Sequence, residues 1–299
     1  MGITIFSKNI DSYFNLRLAE EAGKTGISIQ LANPFNCILH TDGVEFDGKR
    51  IPHGEICIIR TPPYREQKDY IHLLGKILSS TGNRVINPVE AIEITGNKFL
   101  TLSRAKTRNI PVLESVAVKN LKNLEQSVSY LGGFPVFLKT IFGTRGIGVI
   151  YCPCLETLRA SAQAMWAYGA NIYIEKFADK SMGTTVRILV FEEFILGGVI
   201  NRANRNNPVN NHETRRLIRS NFSRGGEIES CPINKEQKEI ALGICREIGL
   251  CFGGVDLIET HQGWKFLEVN SSPGIKGFEK ATGKNIAGDI LHILLNRES

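Results

Sequence analysis

Phe266-Leu267-Glu268-Val269-Asn270-Ser271-Ser272-Pro273-Gly274 is the stretch on which the reading of this chain turns. Strand alternation sets Phe266, Glu268 and Asn270 on one face and Leu267 and Val269 on the other. A carboxylate and an amide oxygen on one strand face suit a hard divalent cation such as Mg²⁺. Just upstream, Gly253-Gly254-Val255-Asp256-Leu257-Ile258-Glu259 reads as a second strand, with a turn near Thr260–Gly263. A hairpin centred on Gln262 sets Asp256 directly across from Glu268. Asp256, Glu268 and Asn270 then converge as oxygen donors, a candidate metal site. A solvated polar strand face is the alternative.

Working outward, residues 1–90 alternate short apolar strands (Ile3–Phe6, Ser28–Ala32, Ile56–Arg60) with helices (Tyr13–Ala22, Tyr70–Ser80), which implies a mainly parallel sheet. Asp47-Gly48 marks a small hairpin between Val44–Phe46 and Lys49–Ile51. A helix over Asn97–Thr107 leads to strands at Val136–Lys139, Gly148–Tyr151 and Ile172–Glu175, with a helix at Leu155–Tyr168. Strands at Thr185–Phe191 and Phe194–Ile200 follow. A loop-rich stretch over 201–230, a helix over Lys235–Ile248, the hairpin and a last helix over Asn285–Leu295 complete the chain. The pattern divides into an α/β unit at 1–94, a small α+β unit at 95–175 and a larger α+β unit at 176–299.

Lys139 closes the apolar strand Pro135-Val136-Phe137-Leu138 and is followed by Gly143-Thr144-Arg145-Gly146-Ile147-Gly148. Glycines let backbone N–H groups approach a phosphate closely, and the ammonium neutralises its charge. The spacing is neither a Walker loop nor a dinucleotide fingerprint, and the loop joins two strands instead of opening a helix. By itself the glycine pattern fits a tight hairpin equally well.

These motifs, together with Gly277-Phe278-Glu279-Lys280-Ala281-Thr282-Gly283 and Gly48-Lys49-Arg50-Ile51-Pro52-His53, resemble the ATP-grasp superfamily, and within it the RimK-type α-L-glutamate ligases. The resemblance spans nearly the whole chain. It implies an ATP-grasp fold of mixed α/β and α+β class, with an N-terminal pre-ATP-grasp domain, a central lid and a C-terminal domain, and with ATP between the last two. By the same resemblance Lys139 contacts the nucleotide phosphates, and the loop Gly143, Thr144, Arg145, Gly146, Ile147 and Gly148 closes over the γ-phosphate. Lys98 is similar to a second nucleotide-binding lysine, with a solvated helix lysine as the alternative. Glu175, Lys176 and Phe177 match the adenine hinge. Gly183-Thr184-Thr185-Val186-Arg187 keeps the family's arginine, Arg187, but has Thr185 where an aspartate is expected; a hydroxyl bonds without charge. Arg219-Ser220-Asn221 matches the family's Arg-Ser-Asn segment. Arg219 is expected to act on the transferring phosphoryl group, since arginine is a planar, permanently charged donor. The segment 204–212, rich in turn formers, is longer than is typical of the family. Arg202, Arg205, Arg215 and Arg216 are expected either to bind substrate carboxylates or to form a solvated basic face.

Composition limits the alternatives. The chain has 299 residues with 42% hydrophobic content, enough for two or three subdomains. No apolar run approaches a membrane span and the start reads as a strand, so a cytoplasmic protein is expected. Seven scattered cysteines argue for free thiols over a disulfide framework, and Cys152-Pro153-Cys154 lacks the partners of a zinc site. A net charge of +6 suits an acidic substrate or ATP better than nucleic acid, which no long basic tract supports. No histidine spacing or serine motif suggests a covalent nucleophile, and His53 reads as structural. The expected activity is ADP-forming amide ligation with ATP and Mg²⁺, for which Mn²⁺ is a candidate substitute. It joins an amino acid such as glutamate to the carboxylate of a peptide, protein or metabolite, in a homo-oligomer. A ligase for other amino acids and a non-catalytic ATP sensor are the alternatives.

Overall fold

A computed structural model describes residues 2–60, 67–143, 147–181, 183–202 and 227–296. The first unit comprises β1 (Ile3–Phe6), α1 (Tyr13–Lys24), β2 (Ile29–Ala32), β3 (Ile38–His40), β4 (Gly43–Phe46), β5 (Lys49–Arg50), β6 (Ile56–Ile59), α2 (Lys68–Ser80) and β7 (Arg84–Ile86). Every residue of β1 and β6 is buried, without alternation, because helices cover both faces of the sheet they form. That sheet has the order β2-β1-β6-β7 and is parallel throughout, as the strand–helix alternation implies. Its order reverses at β1, with β2 on one side and β6 on the other. Asp47 and Gly48, at φ 51° and 71°, form the tight turn between β4 and β5.

The helix α3 (Val89–Gly96) packs Val89 and Ile92 into the core of the first unit and leads to the second, which contains α4 (Lys98–Thr107), β8 (Ser115–Val118), α5 (Leu124–Tyr130), β9 (Val136–Thr140), β10 (Val149–Cys152), α6 (Leu155–Ala167) and β11 (Ile172–Lys176). Asn97 caps α4 by accepting from Leu100 N. The antiparallel sheet β10-β9-β11-β8 turns Val136, Leu138, Ile172 and Ile174 toward Leu124, Val128 and Leu158 of the helices. Alternation therefore leaves Phe137, Lys139, Tyr173 and Glu175 on the opposite face.

The last unit runs β12 (Thr185–Phe191), β13 (Phe194–Arg202), β14 (Glu227–Ser230), α7 (Lys235–Ile248), β15 (Phe252–Thr260), β16 (Gly263–Asn270), α8 (Lys276–Thr282) and α9 (Ile286–Asn296). The helix α7 lies where its period places it, because its ends are chemically marked. Asn234 and Gln237 form a reciprocal capping box, and Gly249 takes the left-handed conformation at φ 74° that closes it. The sheet β14-β13-β12-β15-β16 buries both faces. Val186, Ile188, Val255, Leu257 and Phe266 pack with α7 and with Leu102 and Ala105 of α4. Leu189, Phe191 and Phe252 pack with α1, α9 and the first sheet's Ile3 and Ile5. Short β7, β8 and β14 and the brief helices α5 and α8 carry too little periodicity to stand out in the sequence.

The hairpin pairs Asp256 with Glu268 as expected, but not by regular alternation. Its tip pairs Thr260 with Gly263, and the register shifts after Asp256 so that Leu257 faces Phe266 and Leu267 is the extra residue of a bulge. Phe266 is thus on the core face with Val269, and not on the face of Glu268. Leu267 instead joins the small cluster of Leu113, Ala178 and Ile258. All seven cysteines are free.

Candidate active site

Three strands of the last sheet, two of the middle one and the start of α4 bring six charged side chains together. Arg187 and Asp256 are direct neighbours across β12 and β15, and the guanidinium grips both carboxylate oxygens, Nε to Oδ1 and Nη2 to Oδ2, each at 2.6 Å. Across the next strand pair Glu268 lies opposite Asp256, and Lys98, the first residue of α4, places its Nζ 3.3 Å from Glu268 Oε2. In the middle sheet Lys139 forms an ion pair with the buried Glu175. Each of these three cations is matched to one carboxylate.

Their fields overlap. Burial works against ionisation of Glu268, but Lys98, Arg187 and Lys139 outweigh it and hold the carboxyl down at about 2. Lys139 therefore acts on a group of the neighbouring unit as well as on Glu175. Asp256 is raised from its ordinary value by burial, which the Arg187 pairing opposes and the adjacent Glu268 carboxylate reinforces. Burial also pushes the Tyr173 hydroxyl well up, aided by Glu175 and Glu268. Tyr173 packs against Phe99 at 5.8 Å between ring centres. Sequence patterning does not single it out, although its place two residues before Glu175 on β11 is the signal that would have found it.

Beside this cluster Phe137, Tyr151 and Phe177 form an aromatic group with ring centres 5.6 to 6.0 Å apart. Phe177 belongs to the expected hinge; Phe137 and Tyr151 do not stand out in the sequence, and only the pairing of β9 with β10 brings them together. Lys176 directs its side chain away, to Glu114 at 3.9 Å, and its backbone N–H donates to Glu114 O. Thr185 is buried at the start of β12, on the same face as Arg187.

Gly143 and Gly148 flank the loop between β9 and β10. A side chain at Gly148 would meet Thr140 Oγ1 at 2.5 Å, and Gly148 has φ 78°, so this position requires glycine. Ile147 is exposed. Thr144, Arg145 and Gly146 lie outside the described residues, as do Arg205, Arg215, Arg216, the 204–212 segment, Arg219, Ser220 and Asn221. Arg202 ends β13 and pairs with Glu229 at 3.1 Å, so it is not among the six clustered charges. Asn270 is exposed, and its Oδ1 accepts from Ser272 N at 2.9 Å.

The donor set fits a hard divalent cation in part. Asp256 and Glu268 adjoin, and Glu268 keeps 33% of its side chain open to solvent. Among the described residues no set of three or more His, Cys, Asp or Glu gathers, so a cation here must complete its shell from Asn270, phosphate oxygens and water.

Residues 95–294 match the family model of the RimK-like ATP-grasp domain. A probable alpha-L-glutamate ligase of Psychromonas ingrahamii is 29% identical over 98% of this chain and 95% of its own length. A protein of the same description from Legionella pneumophila is 28% identical with the same coverage. Among solved structures, the ATP-grasp ligase PsnB in complex with a minimal precursor superposes with a TM-score of 0.76 at 15% identity, over 99% of both chains. The D-cycloserine synthetase DcsG does so with 0.74 at 14% identity over the whole of both chains. Paired lysines and carboxylates between two sheets, set in a fold shared with these ligases, accord with the family match, and the chain belongs to the RimK-like ATP-grasp ligases.

Proposed function

We propose that this protein is an ATP-dependent carboxylate–amine ligase that works through an acyl phosphate and adds an amino acid such as glutamate to a carboxylate acceptor. The observation that carries the reading is the Asp256–Glu268 carboxylate pair ringed by Lys98, Lys139 and Arg187. The nucleotide lies between the units at 95–175 and 176–299, with its base against Phe137, Tyr151 and Phe177 at the Glu175–Phe177 hinge. Lys98 and Lys139 bind its phosphates, and the glycine loop Gly143–Gly148 belongs to the γ-phosphate, as the family resemblance implies. Asp256, Glu268 and Asn270 hold Mg²⁺ or Mn²⁺, which supplies charge neutralisation to the phosphoryl group. Arg187 orients Asp256 for that task. Arg219, with Ser220 and Asn221, adds a fixed charge at the transferring group. A substrate carboxylate oxygen takes up the γ-phosphoryl group as ADP leaves, and an amine then displaces phosphate to form the amide. Enclosure by the two units keeps water from the activated acyl group.

The acceptor is a peptide, a protein end or a metabolite, met by Arg202, Arg205, Arg215 and Arg216. A peptide is favoured by the similarity of fold to PsnB with its precursor peptide and to the macrocyclase MdnC bound with its precursor MdnA from Microcystis aeruginosa. No described helix is long and apolar enough to cross a membrane, and a cytoplasmic homo-oligomer is the proposed setting. The test is ADP release with Mg²⁺ across a matrix of amino acids and carboxylate acceptors, with product masses recorded. Release that requires both partners, with the mass gain of a condensation, is expected; ATP binding without turnover across the matrix would favour a sensor.

A further inference from the structure

A half-buried charge in the first unit takes no part in the site described so far. Arg60 follows directly on β6, and its Nη2 donates to Pro273 O at 2.9 Å, with Ser272 O at 3.5 Å. Its guanidinium carbon lies 3.8 Å from the centre of the Phe14 ring and 5.5 Å from that of Phe252. Nη1 is buried and has no hydrogen-bond partner among the described residues. Burial lowers the group's pKa to about 9, and no carboxylate among the described residues opposes it. A cation partly removed from water, with no counter-charge among the described residues, is costly, and stacking on Phe14 offsets only part of that cost. One nitrogen of the fork is used and the other is not, which leaves a planar donor suited to a carboxylate.

Two placements say which anion belongs there. The parallel sheet reverses its order between β1 and β6, and open parallel sheets take their ligands in the crevice outside the carboxyl ends of the strands at such a reversal. Arg60 stands at that end of β6, and Lys8 is exposed two residues beyond the end of β1. The backbone that Arg60 grips, Ser272–Pro273, begins two residues beyond the end of β16, which carries Glu268 and Asn270. The crevice therefore adjoins the proposed phosphoryl-transfer centre.

We propose that Arg60 binds a non-reacting carboxylate of a dicarboxylate substrate, and so orients its other carboxylate toward the Asp256–Glu268 pair; this rests on the ligase reading. A permanent cation bound to both oxygens of a carboxylate makes that group a poor nucleophile, so the role is positioning, not activation. Nη1 is covered in this state, and its lack of a hydrogen-bond partner among the described residues favours exchange of that cover for a carboxylate.

Calorimetric titration of the full chain would use glutarate, L-glutamate and N-acetyl-L-glutamate, each with Mg²⁺ and a non-hydrolysable ATP analogue, and neutral glutaramide as control. At least one dicarboxylate should bind the wild type and glutaramide should not. In Arg60→Met the dicarboxylate affinity should fall by roughly tenfold more than that of the Mg-nucleotide. Arg60→Lys, which keeps charge but loses the fork, covers the case in which the methionine variant does not fold, and should show a smaller loss of the same kind. Equal losses for nucleotide and dicarboxylate would reduce Arg60 to a structural clip on Pro273, and a wild type that binds none of the dicarboxylates would also overturn the proposal. Failure of the Mg-nucleotide to bind the wild type would instead count against the ligase reading.

Discussion

Glu268 shows how much a single carboxylate does at the centre of this molecule. It faces Lys98, feels Lys139 and Arg187, and adjoins Asp256. Replacement by alanine should lower ADP formation on the order of a thousandfold, the worth of several kcal/mol of charge stabilisation, while the chain stays folded. Turnover retained by a folded Glu268→Ala protein would sink the assignment. Glu268→Gln makes a sharper statement about the apo site, where each cation is neutralised by one carboxylate. It frees Lys98, so Mg²⁺-free ATP should bind at least as tightly as to the wild type, and Mg²⁺ should no longer tighten it. Calorimetry with and without the metal reads both, and an unchanged Mg²⁺ effect would place the cation elsewhere.

At the scale of the element, the bulge in β16 decides which side chains share a face. Because Leu267 is unpaired, Phe266 is fully buried with Val255 and Leu257, and Glu268 is released to the charged side. Phe266→Ala should therefore cost about 3–5 kcal/mol of unfolding free energy, the usual result of emptying an aromatic site in a packed core. A loss below about 1 kcal/mol in chemical denaturation would put Phe266 on an accessible face, as plain alternation has it. The charged residues themselves are legible in the amino-acid sequence: Asp256, Glu268, Lys139 and Arg187 stand in or beside apolar runs, where a merely solvated side chain is out of place. The face of Phe266 is not, since one unpaired residue changes a strand's alternation without changing its composition.

Across the whole molecule, contacts distant in sequence hold the first unit against the last. Asn87 is fully buried and makes three hydrogen bonds: it donates to Phe252 O and Ser271 O at 2.8 Å and accepts from Phe252 N at 2.6 Å. Leucine there would strand those backbone groups, and Asn87→Leu should destabilise the protein by roughly 2–4 kcal/mol in thermal or chemical unfolding. A neutral result would mean that the two units do not depend on this clamp. At the other end of the same interface Arg17 binds Glu20, Glu21, Glu279 and Asn285, joining α1 to α8 and the start of α9. Glu21 is held down at about 2, first by its hydrogen bond to Lys24, then by Asn285, with burial opposing and Arg17 adding. Its folded value lies below the unfolded one near 4.5, so its contribution is complete above that pH and is lost as pH falls toward about 2. Glu21→Gln should be less stable than the wild type at neutral pH, and the gap should close on acidification. A gap constant from pH 7 to 2 would show that the carboxylate charge is not what acts.

What the amino-acid sequence determined by itself is whatever local chemistry marks. The α7 boundaries followed from a capping box and a left-handed glycine, the β4–β5 turn from Asp47-Gly48, and the parallel first sheet from apolar strands alternating with helices. The residue types at the centre followed from carboxylates and lysines placed where strands are otherwise apolar. The tertiary structure alone decided the pairings: Lys98 with Glu268, Arg187 with Asp256, Tyr173 within the field of Glu268, and Arg60 against Pro273. These join residues far apart in the chain, and their geometry depends on strand order, register and the packing of sheets. Local periodicity carries no record of which distant strand, or which edge of it, a side chain will meet.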